Sequence, residues 1–139
     1  MNKVFYKVVD KETRYGSNMC IYKSEFQYNI DEFIKTLNDS QKKWFPKYLQ
    51  NSIIKAPKES QNGIFIFSNI RECQVFAYNH EISYCSVFLK VQPLCKIEKL
   101  NNFVFSAGYD PTHLFDISYY GVSNNNNDCI TCRKIKVLE

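Results

Sequence analysis

No stretch of this chain is long and apolar enough to read as a membrane span. The opening, Met1-Asn2-Lys3-Val4-Phe5-Tyr6, lacks the apolar core and small-residue cleavage site of a secretory signal, so no signal peptide is expected. Glycine and proline are sparse, four of each in 139 residues, which excludes a collagen-like or linker-rich protein. There is no Walker loop, no GxGxxG and no HExxH, and with them go the usual signatures of nucleotide hydrolysis, dinucleotide binding and zinc proteolysis. No internal repeat and no second domain are visible. Cysteine, by contrast, is not scarce. Without a secretion signal the six cysteines read as reduced thiols of a cytoplasmic protein, several buried as small hydrophobes. In that compartment the Asn38-Asp39-Ser40 sequon carries no meaning.

The chain is large enough to bury a core as one domain without staples, and its 45% hydrophobic and 23% charged residues are ordinary for a folded protein. Aromatics are abundant at 16%, and the ten tyrosines among them suit half-wet positions on sheet faces or around a groove. The net charge of +4 is compatible with an anionic partner.

The stretch from Gly63 to Val91 organises the rest. Ile64–Phe67 is a short apolar run, as expected of a strand buried on both faces. Asn69 and Glu72 have capping-box spacing, and a helix over Ile70–Tyr78 would place Ile70, Cys73 and Ala77 on one face. From Tyr84 to Val91 the period becomes two, with Cys85, Val87, Leu89 and Val91 on one side. Around this strand-helix-strand unit, Lys3–Val9 alternates as a strand, followed by a charged turn and a second strand near Met19–Tyr22 as its antiparallel neighbour. Asn29 opens a helix through Ile30, Phe33, Ile34 and Leu37, and Ser40 can cap a second turn over Gln41–Phe45 before Pro46 stops it. Ile53-Ile54 is a brief strand. Leu94–Ile97 follows Pro93 as an edge strand, Phe103–Phe105 and Leu114–Tyr120 are further strands, and Cys132–Leu138 is a basic one. Loops are expected over Ala107–Thr112 and at the asparagine run Ser123–Asp128. The sum is an α+β domain with a mixed or antiparallel sheet and two main helical segments.

Chemistry-bearing residues are scattered. Cys129-Ile-Thr-Cys132 has no second ligand pair to complete a tetrahedral zinc site, and it precedes a strand where a redox CxxC would open a helix. The expectation is free thiols and no metal. His80, at a helix-to-strand turn, and His113, in a loop, lack a neighbouring nucleophile motif and read as structural or surface histidines. Asp110, Asp116 and Glu98 are candidate acids that only geometry could pair. Lys42, Lys43, Lys47, Lys55 and Lys58 surround Trp44 and Tyr48. That zone reads as an amphipathic helix pair with a solvated lysine face, the alternative being a nucleic-acid or nucleotide surface.

Gly63-Ile64-Phe65-Ile66, Ala77-Tyr78 and Val87-Phe88-Leu89-Lys90-Val91 resemble one signature of the ADP-ribosyltransferase superfamily, in its poly-ADP-ribose-polymerase-like branch. There a Gly-Ile-Tyr-Phe strand leads to a helix with a small residue near an aromatic, and then to an alternating strand. The resemblance implies that Phe5-Tyr6-Lys7-Val8 is the first strand contacting NAD. Lys7 stands where the family presents His or Arg, and Phe65 where it has Tyr. The family's late catalytic Glu has no counterpart, since Glu98 is early and Glu139 is the last residue of the sequence. The two ends of the chain are also similar to small proteins of bacteria and their phages.

These readings converge on a small binding or interaction module without catalytic residues or cofactor, built on a degenerate ADP-ribosyltransferase-like domain and taking a nucleotide or protein partner. The alternatives are an NAD-dependent ADP-ribosyltransferase and a nucleic-acid-binding protein. Any ligand groove is expected between the opening strand and the central unit, lined by Tyr6, Lys7, Phe65, Phe67 and Tyr78. The competing reading is that Lys7 snorkels from a solvated sheet face and the aromatics are core.

Overall fold

The computed structural model describes residues 3–17, 29–60, 62–99, 115 and 130–139. The strands expected near Met19–Tyr22, at Phe103–Phe105 and, apart from Phe115, at Leu114–Tyr120 lie outside these residues, as do both expected loops. The described elements run in the order β1 (Phe5–Asp10), α1 (Ile30–Lys35), α2 (Asp39–Lys42), β2 (Ile53–Lys55), β3 (Ile64–Ile66), α3 (Ile70–Asn79), β4 (Ser86–Pro93), β5 (Ile97–Lys99), β6 (Ile130–Cys132) and β7 (Lys134–Val137). The protein is α+β, and every described strand pair is antiparallel.

The strands form a four-stranded sheet in the order β1-β4-β7-β2 and a three-stranded sheet in the order β3-β6-β5. Two junctions join them. At one, Tyr6 and Phe67 exchange backbone hydrogen bonds of 2.9 and 2.8 Å, which seats the chain just after β3 against β1. β3 and β4 therefore flank β1 instead of pairing with each other. At the other, the expected single strand Cys132–Leu138 divides at Arg133 into β6 and β7, one in each sheet. The Arg133 guanidinium bonds the carbonyls of Pro57 (2.7 Å), Ser60 (3.1 Å) and Asn62 (3.2 Å), tying the loop before β3 to the bend. A methyl group on Gly63 would lie 2.7 Å from the carbonyl carbon of Cys132, so only glycine allows the two backbones this close.

The cross-strand register sorts the residues of the larger sheet by face. Phe5, Val9, Leu89, Val91, Ile135, Val137 and Ile54 turn inward and pack with Tyr48, Phe115 and Ile64, Ile66, Ile130 and Cys132 of the smaller sheet. On the other face of β1, Val8 packs with Phe67, Cys73, Ala77, Ile82 and Cys85 under α3, with Tyr6, Phe76 and Phe88 around them. Val87 shares a face with Leu89 as its period requires, but at the rim of the sheet it remains 37% exposed.

Several boundaries differ from the sequence reading, each for a local reason. The Asn29 and Asn69 caps form as expected, accepting from Glu32 N–H (3.3 Å) and Glu72 N–H (2.9 Å). The cap of α2 is Asn38 and not Ser40. Its side chain accepts from Gln41 N–H while the Gln41 side chain accepts from Asn38 N–H, both at 3.0 Å, and Ser40 donates to Asn38 from inside the turn. Ile70 begins α3 and is exposed, leaving Cys73 and Ala77 as the buried stripe. Tyr84 and Cys85 belong to a turn, because Cys85 N–H bonds to Ile82. β4 then continues as far as Pro93, which lies opposite Ile135. The edge strand expected at Leu94–Ile97 is instead β5, three residues that join the smaller sheet.

Candidate functional site

β1 is the strand from which the expected site is built. Its alternation places Tyr6 and Lys7 on opposite faces. Tyr6 is half-buried on the α3 side, beside Phe67. Phe67 in turn packs on Phe76, with ring centroids 5.2 Å apart, and Phe76 on His80 at 4.4 Å. Phe65 shares the Phe67 face of its strand by alternation and is buried opposite Thr131. Tyr78 stands on the outer surface of α3 with 77% of its area exposed. The structure thus brings Tyr6 and Phe67 together, keeps Phe65 in the smaller sheet, and leaves Tyr78 in solvent.

Lys7 is the surprise. It has 0% exposure, so it does not snorkel from a wet sheet face. Its neighbours along the strand face, Phe5 and Val9, are core, and its ammonium lies 5.2 Å from the centroid of the equally buried Tyr48 ring. Burying an ammonium is costly unless it is compensated, and the negative face of an aromatic ring supplies part of that compensation. Tyr48 is held in place by its own backbone: its N–H donates to Arg14 (2.8 Å) and its carbonyl accepts from the Arg14 side chain (2.9 Å). Arg14 adopts a positive φ of 64° at the end of a turn in which Asp10 accepts from the Thr13 N–H and hydroxyl at 3.0 and 2.6 Å. Sequence reasoning placed Tyr48 in the lysine zone and missed this pairing. Nothing local signals it, since 41 positions of chain separate the two residues.

The reactive groups near β1 are engaged in packing. Burial pushes the Cys73 thiol up to about 12, with the Lys7 charge opposing and Glu72 adding to it, so the sulfur stays protonated at neutral pH. Tyr15 is also raised, first by burial and then by the charge and hydrogen bond of Asp31, and Lys47 lies 5.1 Å over its ring. Cys132, the second thiol of the CxxC, is buried and donates to the carbonyls of Lys134 (3.1 Å) and Cys95 (3.3 Å). Among the described residues no three His, Cys, Asp or Glu side chains gather as a metal would require. Glu98 is exposed on β5, while His113, Asp110, Asp116 and Cys129 lie outside the described residues.

The basic-aromatic zone resolves into separate parts. Trp44 packs on the core against Phe115 and Tyr48 is inside it, while Lys43 pairs with Glu59 (2.9 Å) and Lys47 with Asp31 (3.6 Å). Its aromatics are committed to packing, but the expected amphipathic helix pair does not form: of the zone's lysines only Lys42 lies on a helix, and Lys55 is on β2. Among the described residues no helix is long and apolar enough to cross a membrane. No protein-family model, curated protein or solved structure matches this chain.

Proposed function

We propose that this chain is a small binding module that performs no catalysis, a degenerate ADP-ribosyltransferase-like domain that takes a nucleotide or a protein partner in the cytoplasm. What supports this reading is the contrast around β1 and α3. The groups able to do chemistry are packed away: Lys7 against Tyr48, Cys73 as a protonated thiol, His80 against Phe76. Aromatic surface, meanwhile, stands in solvent at Tyr78 and at Tyr84, which is 66% exposed. Tyrosine suits a contact surface, because it offers large area and a polar tip at low entropic cost. A nucleotide would stack on the exposed Tyr78, which stands apart from the half-buried Tyr6 beneath α3; a protein partner would cover Tyr78, Tyr84 and the exposed Val75.

An active NAD-dependent transferase is the second reading. The observation favouring it is the order of parts, with β1 lying against the end of β3 and α3 leading from there to β4. Incubation with labelled NAD and cell extract separates the two. The binding reading expects NAD or ADP-ribose to bind in a titration, or a partner to cross-link at position 78, with no label transferred. Transfer that disappears in Lys7→Ala or Glu98→Ala would replace it with the enzyme.

A further inference from the structure

The larger sheet has one face that α3 covers only in part. On β7, Ile135 and Val137 point into the core and Lys134 and Lys136 point away from it. On β2, Ile54 is buried and Ile53 and Lys55 are exposed. The register sets Lys55 directly opposite Lys134, and Lys136 between Ile53 and Gln92. Leu94 N–H bonds to the Lys134 carbonyl at 2.8 Å, which brings the exposed Leu94 to the same edge.

Like charges directly opposite on a sheet destabilise it. Here no carboxylate relieves them: among the described residues the ion pairs fall on Lys35, Lys43, Lys47 and Lys90, and none on Lys55, Lys134 or Lys136. Two apolar side chains, Ile53 and Leu94, are exposed beside the three lysines, with Ile53 at 53%.

We propose that this face docks a single strand of nucleic acid through its phosphate backbone, without reading base sequence. Backbone positions two apart on a strand are about 6.8 Å apart and those on neighbouring strands about 4.8 Å, so the three lysines are rooted close together on one face. The ligand must therefore be a closely spaced polyanion. An acidic peptide would meet the same three charges, and β2, at the edge of its sheet, could also offer it backbone groups, so polyglutamate is the competing ligand in the test. A nucleic-acid strand carries a charge at every step of its own backbone, and its sugars and bases can cover Ile53 and Leu94. The proposal stands apart from the Tyr78 reading, and either can fail without the other.

The test is fluorescence anisotropy with a labelled oligothymidylate of about 16 nucleotides and a mixed-sequence strand of equal length. Three neutralised phosphates give a slope of log K against log salt of about −2, or about a 20-fold loss of affinity between roughly 50 and 200 mM KCl. The two strands should bind alike. The variant Lys55→Gln/Lys134→Gln/Lys136→Gln should lose the salt-dependent binding, and Lys134→Gln alone should flatten the slope by about 0.7. Lys11→Gln, in the turn after β1, should change neither. If the triple variant fails to fold by circular dichroism, amide shifts on adding the strand to unaltered protein should centre on Lys55, Lys134 and Lys136. No binding at the lower salt, a slope untouched by the single and triple variants, shifts centred elsewhere, or equal affinity for a polyglutamate peptide would each overturn the proposal.

Discussion

The buried Lys7 and Cys73 show how burial alters what a residue type means. A lysine in an apolar strand reads as a surface charge until the packing is known. At zero exposure, over the Tyr48 ring, it is a core residue with a charged end. Truncation by Lys7→Ala should cost about 2–5 kcal/mol, the range for large side chains deleted from a core. Lys7→Met, which retains the volume, should cost clearly less in urea unfolding; equal losses would mean that the charge, not the packing, governs the position. Cys73 carries a pH signature. Its folded pKa of about 12 exceeds the reference value of 9.0, so the folded state keeps the proton that the unfolded chain gives up. That stability is fully present below pH 9.0 and is lost as pH rises toward about 12. Cys73→Ala should flatten the alkaline limb of a stability profile, with the raised Tyr15 leaving a residual slope above pH 10.0.

Short elements here depend on their ends. With only four residues, α2 has no buried side chain, so its stability comes from the reciprocal bonds of Asn38 and Gln41. Asn38→Ala should cost about 1 kcal/mol and Ser40→Ala a few tenths at most, which thermal unfolding of the two variants would distinguish. The longer α3 has a buried stripe at Cys73 and Ala77 in addition to its Asn69 cap, so it tolerates an exposed Ile70 at its first turn. Tyr78 lies on the opposite surface of that helix and touches no core cluster. Tyr78→Ala should leave stability within about 0.5 kcal/mol while weakening any partner that the helix engages.

At the scale of the whole molecule, the two sheets are held in relation by the Tyr6–Phe67 bridge and by the bend at Arg133. Gly63→Ala would push a methyl into the Cys132 backbone, which cannot move without shifting β6. A loss of about 1–3 kcal/mol is expected, and hydrogen exchange should locate the opening in β3 and β6 first. Exchange that rises uniformly over both sheets would show instead that they open as one unit.

Periodicity and capping were legible in the chain because they are local. The alternation of Phe5 to Val9, the caps at Asn29 and Asn69, the helix beginning at Ile70 and the inward Ile135 and Val137 all follow from neighbours within a few positions, and so does the α+β class they add up to. The expected groove was placed between the opening strand and the central unit, although alternation alone sets Tyr6 and Lys7 on opposite faces of β1. What the sequence could not show is that both faces are filled, because that depends on a second sheet and on Tyr48 arriving from distant chain. The position of Lys55 opposite Lys134 was invisible for the same reason. A strand's own pattern states which side chains share a face, but only pairing with other strands decides which charges meet there and whether that face is buried.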